Sequence, residues 1–318
     1  MKPIVTLTLN PAIDASCEVK EVRPIHKIRS RDERYHPGGG GLNVARVIRE
    51  LGGEALAVYL AGGTTGRALD EMVDAIGLQR RTIRIAGRTR ISFVVYERSS
   101  GQEYRFVPQG PELQQDEWQA CFGHLEALDF DYLVASGSLP KGPPDDFYGQ
   151  IAQVVADKDA RLVLDTSGAA LARALDCEVY LIKPNLRELE ELVGRSLRDP
   201  AAQEEAARQL IDRGRVEIVA VSLGADGALL AMSEGCRRLR APKLEPKSAV
   251  GAGDSFVGAM TFGLADGRPP EEAFALAVAA GTAAVLTMGT ELCRREDVLR
   301  IYRQIKAEQP GAAAAAGQ

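Results

Sequence analysis

The chain has 318 residues, 45% of them apolar and 26% charged, and a formal net charge of −5. That suits one large α/β domain or two smaller ones with a sizeable core, and it argues against a nucleic-acid binder drawn in by a global positive field. The five cysteines (Cys17, Cys121, Cys177, Cys236, Cys293) are scattered and odd in number, and the three histidines (His26, His36, His124) lack metal-ligand spacing. Neither a disulfide framework nor a zinc site is expected, and thiols so placed suit a reducing compartment, the cytoplasm.

In chain order, an apolar run over 4–9 reads as a strand ended by Asn10-Pro11, with no signal peptide read ahead of it. A helix over 42–51, a strand over 55–60 and helices over 66–76 and 114–125 follow. Then come a strand over 132–136, a helix over 145–156, strands over 162–165 and 179–182, helices over 186–193 and 200–213, and a strand over 216–222. Three helices close the chain, over 254–265, 270–287 and 294–305. The stretch 273–288 is nearly apolar but rich in Ala and broken by Gly281, which suits a buried helix better than a membrane span. Alternation of this kind predicts an α/β fold, a doubly wound and mostly parallel sheet with helices on both faces. Ligands in such folds gather outside the carboxyl ends of the strands.

Two regions break the pattern. Residues 16–35 carry many charges and no helical face, and 88–107 reads as two strands (89–96 and 102–107) around a turn at Ser99-Ser100-Gly101. They are expected to form a small projecting β lid, inserted at 16–36 and 88–108 into a domain spanning 1–306, that covers the site or pairs with a second subunit. Residues 307–318 are expected to be a frayed tail.

The segment Val250-Gly251-Ala252-Gly253-Asp254-Ser255-Phe256 is the most informative. Small residues let the backbone turn tightly and aim successive N–H groups into one space, and a helix beginning there adds its unpaired N–H groups and positive dipole end. The product is a nest for an anion such as phosphate. A carboxylate beside it suits orienting or accepting a hydroxyl proton during phosphoryl transfer, and the helix start is expected to favour its ionised form. The plain alternative is an Asp capping a helix after a glycine turn.

Other segments are weaker alone. Pro37-Gly38-Gly39-Gly40-Gly41-Leu42-Asn43 opens an amphipathic helix and allows a ligand close to the backbone, yet lacks the third glycine of the dinucleotide fingerprint. Asp14, beyond the first strand, could grip sugar hydroxyls or simply form a turn. Asn185 and Glu188 share a helical face and could hold magnesium, or could close a capping box. The stretch 222–227 is a turn by composition, a nucleotide contact or an ordinary hairpin. Arg90 and Arg105 on the lid hairpin and Lys27 in the other insert could bind phosphate or lie solvated, and whether the arginines share a face depends on strand register.

Together, Gly38-Gly39-Gly40-Gly41-Leu42-Asn43-Val44-Ala45 and the 250–256 segment resemble the two signatures of the ribokinase-type (pfkB family) sugar kinases, and the resemblance covers nearly all of 1–306. Leu7-Thr8-Leu9-Asn10-Pro11-Ala12-Ile13-Asp14, Ser136-Gly137-Ser138-Leu139-Pro140, Lys183-Pro184-Asn185 and Glu103-Tyr104-Arg105-Phe106 are similar to the minor-type ATP-dependent 6-phosphofructokinase branch. Relatives acting on fructose 1-phosphate or tagatose 6-phosphate have Gly-Lys-Gly where Gly39-Gly40-Gly41 stands.

The resemblance implies MgATP-dependent phosphorylation of the 1-hydroxyl of fructose 6-phosphate, a glycolytic step, by a homodimer joined through the lid strands. Asp254 would be the base and Gly251, Ala252 and Gly253 the anion hole. Asp14, Gly39, Gly40, Asn43 and Ser138 would hold the sugar, with Lys27, Arg90 and Arg105 near its phosphate. Lys183, Asn185, Ser222, Gly224, Ala225, Asp226, Gly227 and Thr282 would contact ATP, and Asn185 and Glu188 would position magnesium. A monovalent cation, potassium, is implied at Ser248, Val250, Ala284, Thr287, Gly289 and Glu291, where Thr287 replaces a familiar asparagine and Glu291 a familiar arginine. A same-family kinase for another acceptor, and a non-catalytic nucleotide or sugar-phosphate sensor, are the alternatives. The sensor is opposed by an intact Asp254, Asn185 and Glu188.

Overall fold

The computed structural model describes residues 1–308. The first third of the chain forms β1 (Ile4–Thr8), β2 (Ala12–Val19), β3 (Arg31–Gly38), α1 (Gly40–Glu50), β4 (Leu56–Gly62), α2 (Gly63–Ala75), β5 (Gln79–Ile85), β6 (Arg90–Glu97) and β7 (Gln102–Phe106). The middle forms α3 (Gln115–Glu126), β8 (Tyr132–Ser136), α4 (Phe147–Ala156), β9 (Arg161–Asp165), α5 (Gly168–Ala174), β10 (Val179–Ile182), α6 (Leu186–Val193) and α7 (Pro200–Asp212). The remainder forms β11 (Val216–Ser222), β12 (Ala228–Met232), β13 (Gly235–Leu239), α8 (Ala252–Ala265), α9 (Pro270–Ala284) and α10 (Arg295–Ala307).

Nine strands make one sheet in the order β13-β12-β11-β10-β9-β8-β1-β4-β5. It is parallel from β5 to β11, and the β11-β12 and β12-β13 pairings at its other end are antiparallel. Its central strands are buried on both faces, β1 and β8 along their whole length, as a doubly covered parallel sheet requires. Alternate strand residues supply two cores. Ile4, Tyr59, Tyr132, Val134 and Leu181 pack with α1, α2, α8, α9 and α10, whereas Val5, Leu7, Leu60, Leu133 and Leu164 pack with α3 to α7. The apolar α9 is buried here, and no helix among the described residues is long and apolar enough to cross a membrane.

The chain leaves β1 for β4 and β5 on one side and later builds β8 to β11 on the other. The strand order therefore reverses between β1 and β8, and the crevice outside their carboxyl ends is where such a fold places a ligand.

Four strands form a separate sheet, β3-β2-β6-β7. The two inserts expected to form a lid thus make a small sheet, called the lid below, which begins at Ala12 rather than 16. Arg90 faces Ala12, Ser92 faces Asp14, and Arg105 faces Val94. With a period of two along each strand, Asp14, Arg90, Ser92 and Arg105 share one face. A row of Tyr35, Ala15, Phe93 and Phe106 lies on the other.

Four elements differ from expectation, among them β13 (Gly235–Leu239), which the charged run Arg237-Arg238 hid. β5 (Gln79–Ile85) was hidden by its charges (Gln79, Arg80, Arg81, Arg84), which an edge strand carries readily. α5 is too short to show a helical period. α9 stops at Ala284 rather than 287, and its last turn gives way to a loop tied by the Thr287 hydroxyl to the Ala284 carbonyl at 2.7 Å. The tail expected to fray from 307 lies largely outside the described residues.

Candidate active site

Gly251 opens α8 in the left-handed region, φ 74°, a conformation that glycine adopts without strain. The following N–H groups of Ala252, Gly253 and Asp254 belong to the first turn of a 14-residue helix and have no partner within it. The expected nest is thus present in the backbone.

Asp254 leaves that first turn and meets α1. Asn43 Nδ2 donates to its Oδ2 at 2.8 Å. The Asn43 carbonyl oxygen in turn accepts from Arg46 Nη1 at 2.8 Å, and the same Arg46 nitrogen donates to the Pro37 carbonyl at 2.9 Å. Arg46 so fixes which way the Asn43 amide points. Burial pushes the Asp254 carboxyl up to about 6, helped by the nearby Asp165 and Asp14, while Asn43 and Lys183 oppose the rise. The expectation that the helix start would favour ionisation is therefore corrected: desolvation and a neighbouring carboxylate outweigh it.

Asp14 lies within strand β2, not in a turn. Its carboxyl is also pushed up to about 6 by burial, against the pull of Arg46, Arg90 and Arg105 and a hydrogen bond from Ser92. Arg90 spans the base of the lid, donating to the Pro108 carbonyl at 2.8 Å and the Asn10 carbonyl at 2.9 Å. Arg105 is exposed on the same face, and Lys27 stands on the exposed loop between β2 and β3. Asn10 Nδ2 reaches Ser138 Oγ at 3.4 Å.

Gly39 and Gly40 bring α1 against the ends of β1 and β8. A side chain at Gly39, φ 106°, would meet Thr8 and Pro11 within 2.9 Å, and one at Gly40 would strike Ser136. No larger residue fits, so the backbone itself lines this floor.

On the other side, Lys183 is 6% exposed and its Nζ lies 3.1 Å from Asp165 Oδ1. That same Nζ is 3.6 Å from where a side chain at Gly253 would begin, so the ammonium faces the nest. Asn185 and Glu188 do form a capping box. Asn185 Oδ1 accepts from the Glu188 N–H at 2.9 Å, and Glu188 Oε2 accepts from the Asn185 N–H at 2.8 Å. The stretch 222–227 is a hairpin connection through a short 3-10 turn, and the Ser222 N–H bonds the Pro184 carbonyl at 3.0 Å beside that box. Thr282 turns its hydroxyl back onto the Val278 carbonyl at 2.7 Å.

The loop after α9 gathers carbonyl oxygens. Thr287 Oγ1 donates to those of Ala284 and Glu291, at 2.7 and 3.1 Å, and Ser248 Oγ lies 3.5 Å from that of Gly289. Val250 donates its N–H to Ser248 Oγ at 3.2 Å. The Glu291 side chain turns away to Arg34 on the lid and to Arg294. The lid meets that loop again through His36 and Thr290 at 2.8 Å, and meets the segment before α8 through Glu103, which accepts from Ser248 Oγ at 3.0 Å.

Asp254, Asn43, Gly39, Gly40, Ser138 and Lys183 thus gather along the carboxyl ends of β1, β8 and β9, while Asn185, Glu188 and the 222–227 turn stand together at the ends of β10 and β11. Thr282 keeps its hydroxyl within its helix, and Lys27 stays on an exposed loop. Sequence reading missed Arg46 and Asp165. Arg46 sits on the polar edge of an amphipathic helix and Asp165 is the last residue of a strand, a position that alone could have marked it. A cavity of about 870 Å³ at the opposite, amino-terminal ends of β9 to β11, lined by Arg161, Tyr180 and Glu217 among others, shares no residue with the cluster. We place the site at the carboxyl ends, where the nest and the carboxylates are.

A backbone nest flanked by a carboxylate and a buried lysine is the equipment of a phosphoryl transferase. Residues 5–297 match the profile of the pfkB family carbohydrate kinases, and the chain belongs to that family of sugar kinases. It is 44% identical over 301 residues to the ATP-dependent 6-phosphofructokinase isozyme 2 of Mycobacterium tuberculosis, covering 94% of this chain and 88% of that protein. It is 33% identical over 304 residues to the 1-phosphofructokinase of Bacillus subtilis, covering 95% and 98%. The crystal structure of phosphofructokinase-2 from Escherichia coli in complex with potassium superposes with a TM-score of 0.92 at 39% identity, covering 96% of this chain and 100% of that one. The tetrameric inhibited form of the same protein superposes at 0.91, with 38% identity and the same coverage.

Proposed function

We propose that this kinase transfers the γ-phosphoryl group of MgATP to the 1-hydroxyl of fructose 6-phosphate, yielding fructose 1,6-bisphosphate. The observation that carries the reading is Asp254 held by Asn43 at the mouth of the nest, in a chain 44% identical to a 6-phosphofructokinase.

In this reading Asp14, Asn43, Ser138 and the Gly39-Gly40 backbone hold the sugar. Arg105, Arg90 and Lys27 receive its 6-phosphate, and the shared face of Asp14, Arg90 and Arg105 supports this assignment. Asp254 orients the acceptor hydroxyl and takes its proton, and a base raised to about 6 is better matched to neutral pH than an ordinary aspartate. Charge spreading over the outer oxygens of the transferred group is met by the N–H groups of Gly251, Ala252 and Gly253 and by the Lys183 ammonium. Lys183, Asn185, Thr282 and the hairpin residues Ser222, Gly224, Ala225, Asp226 and Gly227 contact ATP.

Magnesium, when bound with ATP, neutralises phosphate charge. Among the described residues no cluster of three or more His, Cys, Asp and Glu side chains could hold a metal. The fit is therefore to an ion carried largely by the phosphates and waters, with Glu188 and Asn185 as its protein contacts. The carbonyls of Ala284, Gly289 and Glu291, gathered around Thr287, Ser248 and Val250, suit a hard monovalent cation such as potassium.

The lid is an insert in a kinase domain spanning 1–306. Its outer row, with Tyr35 57%, Phe93 47% and Phe106 57% exposed, supports pairing with a second copy, and five free cysteines support a reducing cytoplasm. The glycine-only stretch at 39–41 favours fructose 6-phosphate over the 1-phosphate acceptor. A coupled ADP-release assay over fructose 6-phosphate, fructose 1-phosphate and tagatose 6-phosphate tests this. Fructose 6-phosphate is expected to give the highest kcat/KM, and a preference for either rival overturns the assignment.

A further inference from the structure

Asp165 ends β9 in the middle of the site, and its carboxylate is divided between two neighbours. Oδ2 accepts from Ser136 Oγ at 3.2 Å, and Oδ1 faces Lys183 Nζ at 3.1 Å. Its backbone carbonyl accepts from the Gly137 N–H at 2.9 Å, which ties the group to the loop that ends at Ser138. The lysine it meets is almost wholly enclosed, and its ammonium looks past Asp165 toward Gly253.

The pair is costly where it stands. Burying an ammonium without a counter-charge is unfavourable, and the Asp165 carboxylate stands 3.1 Å from the enclosed Lys183 ammonium. The same carboxylate disfavours ionisation of Asp254. An ion pair kept only for stability would gain nothing from lying at the strand ends beside another carboxylate, with the Asp165 side chain still 17% exposed to the crevice.

We propose that Asp165 is a positioning residue of the phosphoryl-transfer site: it aims the Lys183 ammonium at the nest, so that the migrating group meets a cation already in place. The inference rests on the kinase reading above. A fixed cation is effective because it need not reorganise as charge develops. A lysine stem is flexible, and without a partner on its far side the ammonium could turn to other acceptors.

A double-mutant cycle on the full chain tests this, with steady-state kcat and both KM values for Asp165→Asn, Lys183→Met and the two combined. The combined variant removes both charges and leaves no lone one buried, so its fold serves as the control, checked by thermal unfolding. Asp165→Asn is expected to lower kcat about 100-fold, the size of losing one preorganised donor, and to change the KM for the sugar phosphate less than about threefold. The combined variant should be no slower than Lys183→Met, and Asp165→Glu should recover part of the lost kcat. Losses that multiply in the combined variant would overturn the proposal, because Asp165 would then act without Lys183, for instance directly on magnesium. A kcat for Asp165→Asn equal to wild type would overturn it too. Failure of the wild-type chain to phosphorylate any sugar phosphate would instead remove the kinase reading itself.

Discussion

Asp254→Asn separates catalysis from stability more sharply than any other change. The carboxyl at 254 is held near 6 against an ordinary 3.8. The folded protein therefore binds that proton more tightly than the unfolded chain does. Its contribution to stability is fully present below about pH 4 and lost as pH rises through about 6. At neutral pH the ionised group costs at most about 3 kcal/mol, taking about 1.4 kcal/mol per unit, and less where the crevice admits water. Asparagine keeps the shape, can still accept from Asn43, and removes that cost. Thermal unfolding at pH 7.5 should show a Tm raised by roughly 2–5 °C, and the gap from wild type should close by pH 4. In the same protein kcat should fall on the order of 10²- to 10⁴-fold, the range for a lost general base, while ATP binding persists. Normal turnover would refute the base assignment. A Tm unchanged at pH 7.5 would refute the argument that burial and Asp165 strain this carboxylate.

Wild-type kcat should fall about tenfold per unit below pH 6 as Asp254 takes up its proton, and a profile flat to pH 5 would contradict this. Arg105→Ala should raise the fructose 6-phosphate KM about 10- to 100-fold, the scale of a lost charged hydrogen bond, with the ATP KM little changed. Equal effects on both would count against a sugar-phosphate contact. Glu188→Gln preserves the capping box in shape but not its charge, so the magnesium needed for half-maximal rate should rise with little change in Tm, whereas a purely structural box would show the reverse. Phe93→Asp, on the outer lid face, should shift the chain to monomer in sedimentation, and an unchanged mass would remove the lid from the subunit contact.

What could be foreseen from sequence was whatever depended on neighbours along the chain. The nest is local, since Gly251 and the apolar run after it set the turn and the helix together. The capping box at Asn185 and Glu188 is local for the same reason. The shared face of Arg90 and Arg105 was undecidable, because it turns on a register that only the paired strands define. Asp14 read as a turn residue because the charged strand β2 has no clean alternation. Arg46 and Asp165 were missed because their partners, Asn43 with Asp254 and Lys183, meet only once helix and sheet have packed. The ionisation of Asp254 went the other way for a related reason. A helix start can be read from sequence, but desolvation and a second carboxylate from β9 cannot.

A crystal structure with fructose 6-phosphate and a non-hydrolysable ATP analogue bound together would test the central claim most directly. The account predicts the sugar's 1-hydroxyl within hydrogen-bond reach of an Asp254 oxygen, with the terminal phosphate over the Gly251–Gly253 backbone. An Asp254 side chain turned from the acceptor, with the phosphate seated elsewhere, would contradict it.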